Sequence, residues 1–199
     1  MNFKKIGCIK TYVGIDPGAN GGIAINRGGE IFLHKMPKTT LEFADLLKAL
    51  HVGSTLVVIE KVGVRPDDVA VADGAVNFGK LYRVQKMVAN FEALKTALDL
   101  SGLAYVTAHP MKWQSFLSVR IKGMEKATRK RHFKEIAQSL YPQTKQTLWS
   151  ADATLIMHFG MMAAERNLQY FRSKMPKEKF GMLFRADLSA FEGVSRAKW

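Results

Sequence analysis

The sequence predicts an α/β domain, and three observations carry that reading. Short β-forming runs near residues 12–16, 22–26 and 30–35 are separated by glycine-rich turns, the pattern of an antiparallel meander. Thr55 to Glu60 is a continuous apolar run closed by an acid, as expected of a central strand covered on both faces. Apolar residues recur at helical spacing over 78–100, 124–141 and 149–165.

The first strand runs through Val13 and Ile15 to Asp16, and Pro17, Gly18, Gly21 and Gly22 form the turn after it. A carboxylate at a strand end beside glycines has three readings. It can hold a metal ion that meets a phosphate, it can belong to a nucleotide phosphate loop of the form Asp-x-Gly-x-x-x-Gly, or it can close an Asx turn. Gly28-Gly29 is a hairpin signal before the strand Glu30–His34. Thr39-Thr40-Leu41-Glu42 starts a helix in capping-box form, with Leu41, Ala44, Leu47 and Leu50 as its apolar positions and Gly53 as its end. The strand Thr55–Glu60 ends in a second carboxylate, which favours a functional reading of Asp16 over a turn. Residues 61–77 have no period and read as a loop containing Asp67, Asp68 and Asp73.

The helix from Phe78 to Leu100 is followed by a short strand at Ala104–Thr107, and Pro110 opens a helical turn that carries Trp113 as a core or lid residue. The helix Met124–Tyr141 has one charged face (Lys126, Arg129, Lys130, Lys134) and an apolar side of Ala127, Phe133, Ile136, Ala137 and Leu140. Pro142 stops it. The helix predicted over Trp149–Glu165 is unusually apolar, and Asp152 stands near its start with only Ser150 as polar company. That acid suits the helix dipole, yet it is costly in a buried helix unless paired or bound to a metal.

The formal net charge of the 199 residues is +13, which favours a polyanionic partner: nucleic acid or an anionic membrane surface. The charge is clustered. Residues 109–146 hold nine Lys/Arg against Glu125 and Glu135. The single Cys8 leaves no internal disulfide and no Cys-based zinc site, and suits a reducing compartment. No signal peptide and no apolar run of membrane-spanning length is read. The expected organisation is one domain over 1–165 and a basic extension over 166–199, which has eight Lys/Arg against three acids.

Three carboxylates thus fall on a first strand, a later buried strand and the last long helix. In that order and setting the chain resembles the RuvC-type Holliday junction resolvases of the ribonuclease H-like superfamily, particularly their small phage and bacterial members. The resemblance rests on Gly14-Ile15-Asp16-Pro17-Gly18 with Gly21-Gly22-Ile23-Ala24, on Val57-Val58-Ile59-Glu60-Lys61-Val62 and on Phe78-Gly79. It continues through Val106-Thr107 before Pro110 and Lys112-Trp113, Ala137-Gln138-Ser139-Leu140-Tyr141-Pro142, and Ala151-Asp152-Ala153, spanning about residues 12–165. It implies a central mixed five-stranded sheet, three antiparallel strands then parallel strands, flanked by helices. Two positions depart from the family's pattern. The acid or histidine usual three or four residues before Asp152 is replaced by Trp149 or Leu148. His158, about 240° around the helix from Asp152, is poorly placed to substitute. The stretch Lys61–Pro66 also lacks the aromatic residue that some members carry after the glutamate.

The resemblance implies a Mg²⁺-dependent endonuclease that cuts four-way DNA junctions by paired phosphodiester hydrolysis, leaving 5′-phosphate and 3′-hydroxyl ends. Asp16, Glu60 and Asp152 would be the catalytic and metal-binding residues, with two ions per site, Asp16 bridging them, and Mn²⁺ able to substitute. Hard cations prefer such oxygen ligands, and two ions about 3.5–4 Å apart can activate a water and stabilise the leaving oxygen. Lys112, Lys122, Lys126, Arg129, Lys130, Arg131 and Lys134 would contact phosphates. A homodimer is implied because symmetric cutting needs two sites, with the helix around Phe78–Leu100 as the candidate interface. A cytoplasmic location, in a bacterium or a phage-infected host cell, goes with these expectations. Two alternatives stand beside the nuclease. A phosphate-loop ATPase needs two domains and a second Asp-x-Gly-x-x-x-Gly, and the chain has room for one domain. A catalytically weak or inactive junction-binding protein of the same fold would explain the missing fourth ligand.

Overall fold

The computed structural model describes residues 9–64, 68, 77–166 and 173–184. Cys8, residues 65–67 and 69–76 of the loop expected over 61–77, and much of 166–199 lie outside the described residues.

Five strands form one sheet in the order β3-β2-β1-β4-β5. Strands β1 (Thr11–Asp16), β2 (Gly22–Arg27) and β3 (Glu30–Lys35) are the antiparallel meander. Strands β4 (Thr55–Glu60) and β5 (Ala104–Ala108) add in parallel on the other side of β1. Gly28 and Gly29 both take positive φ (63° and 97°), the left-handed pair that a two-residue hairpin requires. The mixed five-stranded sheet is therefore as expected. Its parallel half is buried on both faces, which is why β4 reads as an unbroken apolar run.

Strand periodicity divides the core. Val13, Ile15, Val57 and Ile59 face α1 (Thr40–Lys48) and α2 (Phe78–Leu100), where Phe43, Leu47, Phe91, Leu94 and Leu98 cover them. Leu56, Val58 and Val106 face the opposite layer of α3 (Pro110–Phe116), α4 (Lys126–Leu140), α5 (Ala151–Arg166) and α6 (Lys177–Phe184). Helix α5 lies directly on β1. A Cβ placed on Gly14 would collide with the backbone of Ala153 and Met157, meeting the Met157 Cα at 2.8 Å. Within the stretch expected as an extension, Met175, Phe180 and Leu183 are buried in this same layer.

Several expectations need correction. The capping box at Thr39 and Glu42 is present, but α1 stops at Lys48 and a short 3₁₀ turn (Val52–Ser54) leads into β4. Leu41 is 71% exposed and Phe43 is buried in its place, while Leu47 and Leu50 of the expected stripe are buried, so the inward face runs through 43, 47 and 50. Ala127 and Leu140 of α4 are also exposed, leaving Phe133 and Ala137 as its buried residues. Helix α5 begins at Ala151 rather than Trp149. Leu148, Trp149 and Ser150 form a turn, held by a buried network in which the Ser150 and Thr154 hydroxyls both donate to Gln146 Oε1 at 3.0 Å.

Candidate active site

The two strand-end acids are placed by the sheet's pleat. Asp16 has the parity of Gly14, and Glu60 that of Leu56 and Val58, so both point to the α5 side. The parallel register pairs Ile15 with Ile59, so the two acids leave neighbouring strands at the same end of the sheet. Asp152 stands in the first turn of α5, the helix packed against β1. The structure thus brings Asp16, Glu60 and Asp152 to one end of one layer.

Each acid is held differently. Asp16 Oδ1 accepts the Gly18 amide at 3.0 Å, so the Asx turn is real and orients the carboxylate. Gly21 leaves room for it, since a Cβ there would meet Asp16 Cγ at 2.7 Å. The Asn90 side chain on α2 reaches the Pro17 carbonyl at 3.4 Å from the other layer. Glu60 Oε1 accepts the Trp113 indole N–H at 2.8 Å, and Lys61 N donates to Ala108 O at 2.8 Å just beyond it. Trp113 itself is 1% exposed and packs on Phe133 of α4. Asp152 Oδ2 lies 3.8 Å from the Lys130 ammonium, the two side chains being 16% and 34% exposed.

Burial weakens the acidity of all three, and repulsion from neighbouring carboxylates adds to it at Glu60 and Asp152. Burial raises the Asp16 carboxyl, against the Gly18 amide and the Lys130 charge, which lower it. Burial, then the Asp16 charge, lifts Glu60 to about 8, opposed by the Trp113 bond. Burial and Asp16 lift Asp152 to about 6, opposed by Lys130 and Arg129. Buried carboxylates, two of which are raised by the charge of Asp16, make a site that favours an added cation. Their donor set is all oxygen, which suits a hard divalent ion. Yet among the described residues no group of three or more His, Cys, Asp or Glu side chains forms a cluster that could hold a metal ion.

The fourth position is filled structurally. The Trp149 ring covers Gly22, where an added Cβ would meet the ring's Cε3 at 2.7 Å. Trp149 lies in the turn before α5 and not on the helix that carries Asp152. His158 is engaged elsewhere: its Nδ1 is 2.8 Å from the Tyr141 hydroxyl. Asp68 and His109 are described, whereas Asp67 and Asp73 lie outside the described residues; His109 caps α3 by accepting the Met111 amide at 3.3 Å.

Of the expected phosphate contacts, Lys112, Lys122, Lys126, Arg131 and Lys134 are exposed. Arg131 and Lys134 line a groove of about 550 Å³ with Glu135, Gln138 and Leu148. Arg129 and Lys130 differ. They are half-buried, and their charges act on Glu60 and on Asp152 and Asp16. Sequence reasoning missed this turn inward, and it missed the Trp113–Glu60 bond. The second had a signal, since a buried indole N–H needs an acceptor.

No protein-family model and no curated protein matches the chain. Among solved structures it is similar to that of Thermus thermophilus RuvC, at 16% identity and a TM-score of 0.51, over 83% of this chain and 99% of that one. A structure of T. thermophilus RuvC in complex with a Holliday junction substrate aligns over 83% of this chain and 98% of that one, at 16% identity and a TM-score of 0.47. With the sheet order and helix layers above, the chain has the ribonuclease H-like fold of RuvC.

Proposed function

We propose that the chain is a metal-dependent endonuclease that cuts four-way DNA junctions by paired phosphodiester hydrolysis. The observation that carries the reading is the convergence of Asp16, Glu60 and Asp152 at one end of the sheet, beneath a helix whose outer face is basic. Asp16, Glu60 and Asp152 would hold Mg²⁺ or Mn²⁺, which when bound supplies an activated water and stabilises the leaving 3′-oxygen. The chain's own residues do the rest. Gly18 fixes the Asp16 carboxylate, Trp113 fixes Glu60, and the exposed lysines and arginines of α4 align the phosphate backbone. Two cuts need two sites, and Phe78 and Tyr82, which are 80% and 66% exposed on α2, supply an apolar surface for pairing two copies.

A second reading, a junction-binding protein without strong nuclease activity, is favoured by Trp149 at the usual ligand position and by the absence of a closed metal cluster among the described residues. A synthetic four-way junction separates the two. Under the nuclease reading, the wild type cuts it with Mg²⁺ or Mn²⁺ in preference to linear duplex, while Asp16→Asn binds it undiminished and does not cut. Binding without cutting at any metal concentration leaves the second reading. Equal affinity for junction and linear duplex refutes both.

A further inference from the structure

The groove of about 550 Å³ runs between α4 and the turn that precedes α5. One wall is a single stripe of α4, with Arg131, Lys134, Glu135 and Gln138 at i, i+3, i+4 and i+7. The other wall is Leu148, a leucine left 48% exposed. Gln138 pins the two walls together. Its Nε2 donates to the Pro142 and Thr144 carbonyls, both at 3.2 Å, and its Oε1 accepts the Gln146 amide at 2.9 Å. The Gln146 side chain in turn accepts the Ser150 and Thr154 hydroxyls at 3.0 Å, on either side of Asp152 in the chain. The groove is therefore held in a fixed relation to the start of α5 and its acid.

Its charge is graded. Lys130, 3.8 Å from Asp152 Oδ2, marks the side of α4 that faces the acids. At about 100° per residue, Lys134 falls between Lys130 and Arg131 around the helix, and Glu135 lies beyond Arg131. The cationic edge of the groove is thus the one nearer Asp152, and the carboxylate stands on the far edge. Two cations along one edge suit the phosphates of one strand, while a carboxylate opposite repels a second backbone. An exposed leucine in a cationic groove offers no hydrogen bond; it suits the face of a base, which only an unstacked base presents. We propose that this groove holds one strand of a branched DNA beside the candidate active site, with Arg131 and Lys134 on its phosphates and Leu148 against an unstacked base at the branch. The proposal rests on the reading of the chain as a junction-binding protein, and its test scores that reading separately.

The experiment uses synthetic four-way junctions that carry a fluorescent purine analogue, bright only when unstacked, at each nucleotide flanking the branch in turn. They are titrated with protein in EDTA, so that no cleavage intervenes, and affinity is read by anisotropy on the same samples. The wild type is expected to brighten the analogue at the branch. Leu148→Ser is expected to abolish the brightening and to weaken junction affinity about tenfold, the scale of one leucine side chain losing its buried contact. Its affinity for linear duplex should not change. Leu148→Phe keeps an apolar contact and is expected to keep the brightening. Arg131→Met is expected to weaken binding and its salt dependence while the saturated complex stays bright. Leu41→Ser, a similar exchange on α1 in the opposite layer, is expected to behave as the wild type. Should Leu148→Ser fail to fold, Leu148→Gln serves in its place. Brightening that persists without an apolar residue at 148, or a wild-type complex that stays dark at every position, overturns the proposal and leaves junction binding standing. Equal affinity of the wild type for junction and linear duplex defeats both.

Discussion

Replacing Glu60 with glutamine should stabilise the metal-free protein at pH 8. In the folded chain, burial and then the neighbouring Asp16 and Asp152 charges lift the Glu60 carboxyl from 4.5 to about 8. In the unfolded chain it titrates at its ordinary value. Between those limits the folded protein holds a proton that the unfolded chain has released, so stability falls as pH rises through the window. Below it both states are protonated and nothing is lost; above it both are ionised and the full penalty stands. Asp152, raised from 3.8 to about 6, adds a loss of the same sign over a lower range. At about 1.4 kcal/mol per unit, Glu60 alone would cost about 4 kcal/mol by pH 8, and screening by water at the site's open rim reduces this to about 2 kcal/mol. The amide oxygen of the replacement still accepts the Trp113 N–H, so the change removes charge and little else. Urea unfolding in EDTA at pH 5 and pH 8 reads the effect. The wild type should lose stability between the two, and Glu60→Gln should exceed it by about 2 kcal/mol at pH 8, or about 4–8 °C in Tm, with little gain at pH 5. A wild-type stability that is flat or rising over this range, with no gain for the variant at pH 8, would refute the reasoning.

Gly14→Ala should cost at least about 3 kcal/mol, because its methyl meets the α5 main chain, which has no side chain to swing aside; thermal unfolding checks this, and a loss below about 1 kcal/mol would show that α5 does not seat directly on β1. Lys126→Ala with Lys134→Ala should weaken junction binding and reduce the slope of log K against log salt by about 1–2. An unchanged slope, measured by fluorescence anisotropy across a salt series, would move the DNA away from this face of α4.

What the sequence disclosed and what it hid follow from the range of the forces involved. Strands β1 to β5 were legible because β-forming runs and glycine turns are local signals, and the acids that close β1 and β4 were legible with them. The capping box at Thr39 was legible for the same reason. The misreadings all concern where an element meets the rest of the chain. Leu41 has helical spacing with Leu47 and Leu50, but the buried line that those two continue begins at Phe43. Trp149 looked helical because it leads into the apolar-rich stretch that follows, whereas a buried Gln146–Ser150–Thr154 network precedes a helix start two residues later. Lys130 reads as one more basic surface residue, and its inward turn depends on α4 packing against α5, a contact between segments that no local pattern encodes. Met175, Phe180 and Leu183 were hidden by a polar, basic stretch, although each fills the core.

The backbone contact at Gly14 bears on how far such a sequence can drift. Asp16 lies two residues beyond Gly14 on β1, and Asp152 directly precedes Ala153, whose carbonyl would meet any side chain at Gly14. The spacing of these two acids is therefore fixed where one main chain rests on another. Exchanging the surrounding apolar side chains for others of similar volume changes stability before it changes that spacing. A chain built this way can replace most of its core and keep its carboxylates aligned. Likeness in shape at 16% identity is compatible with that economy of constraint: a few positions without side chains hold the frame, and the rest are free to vary.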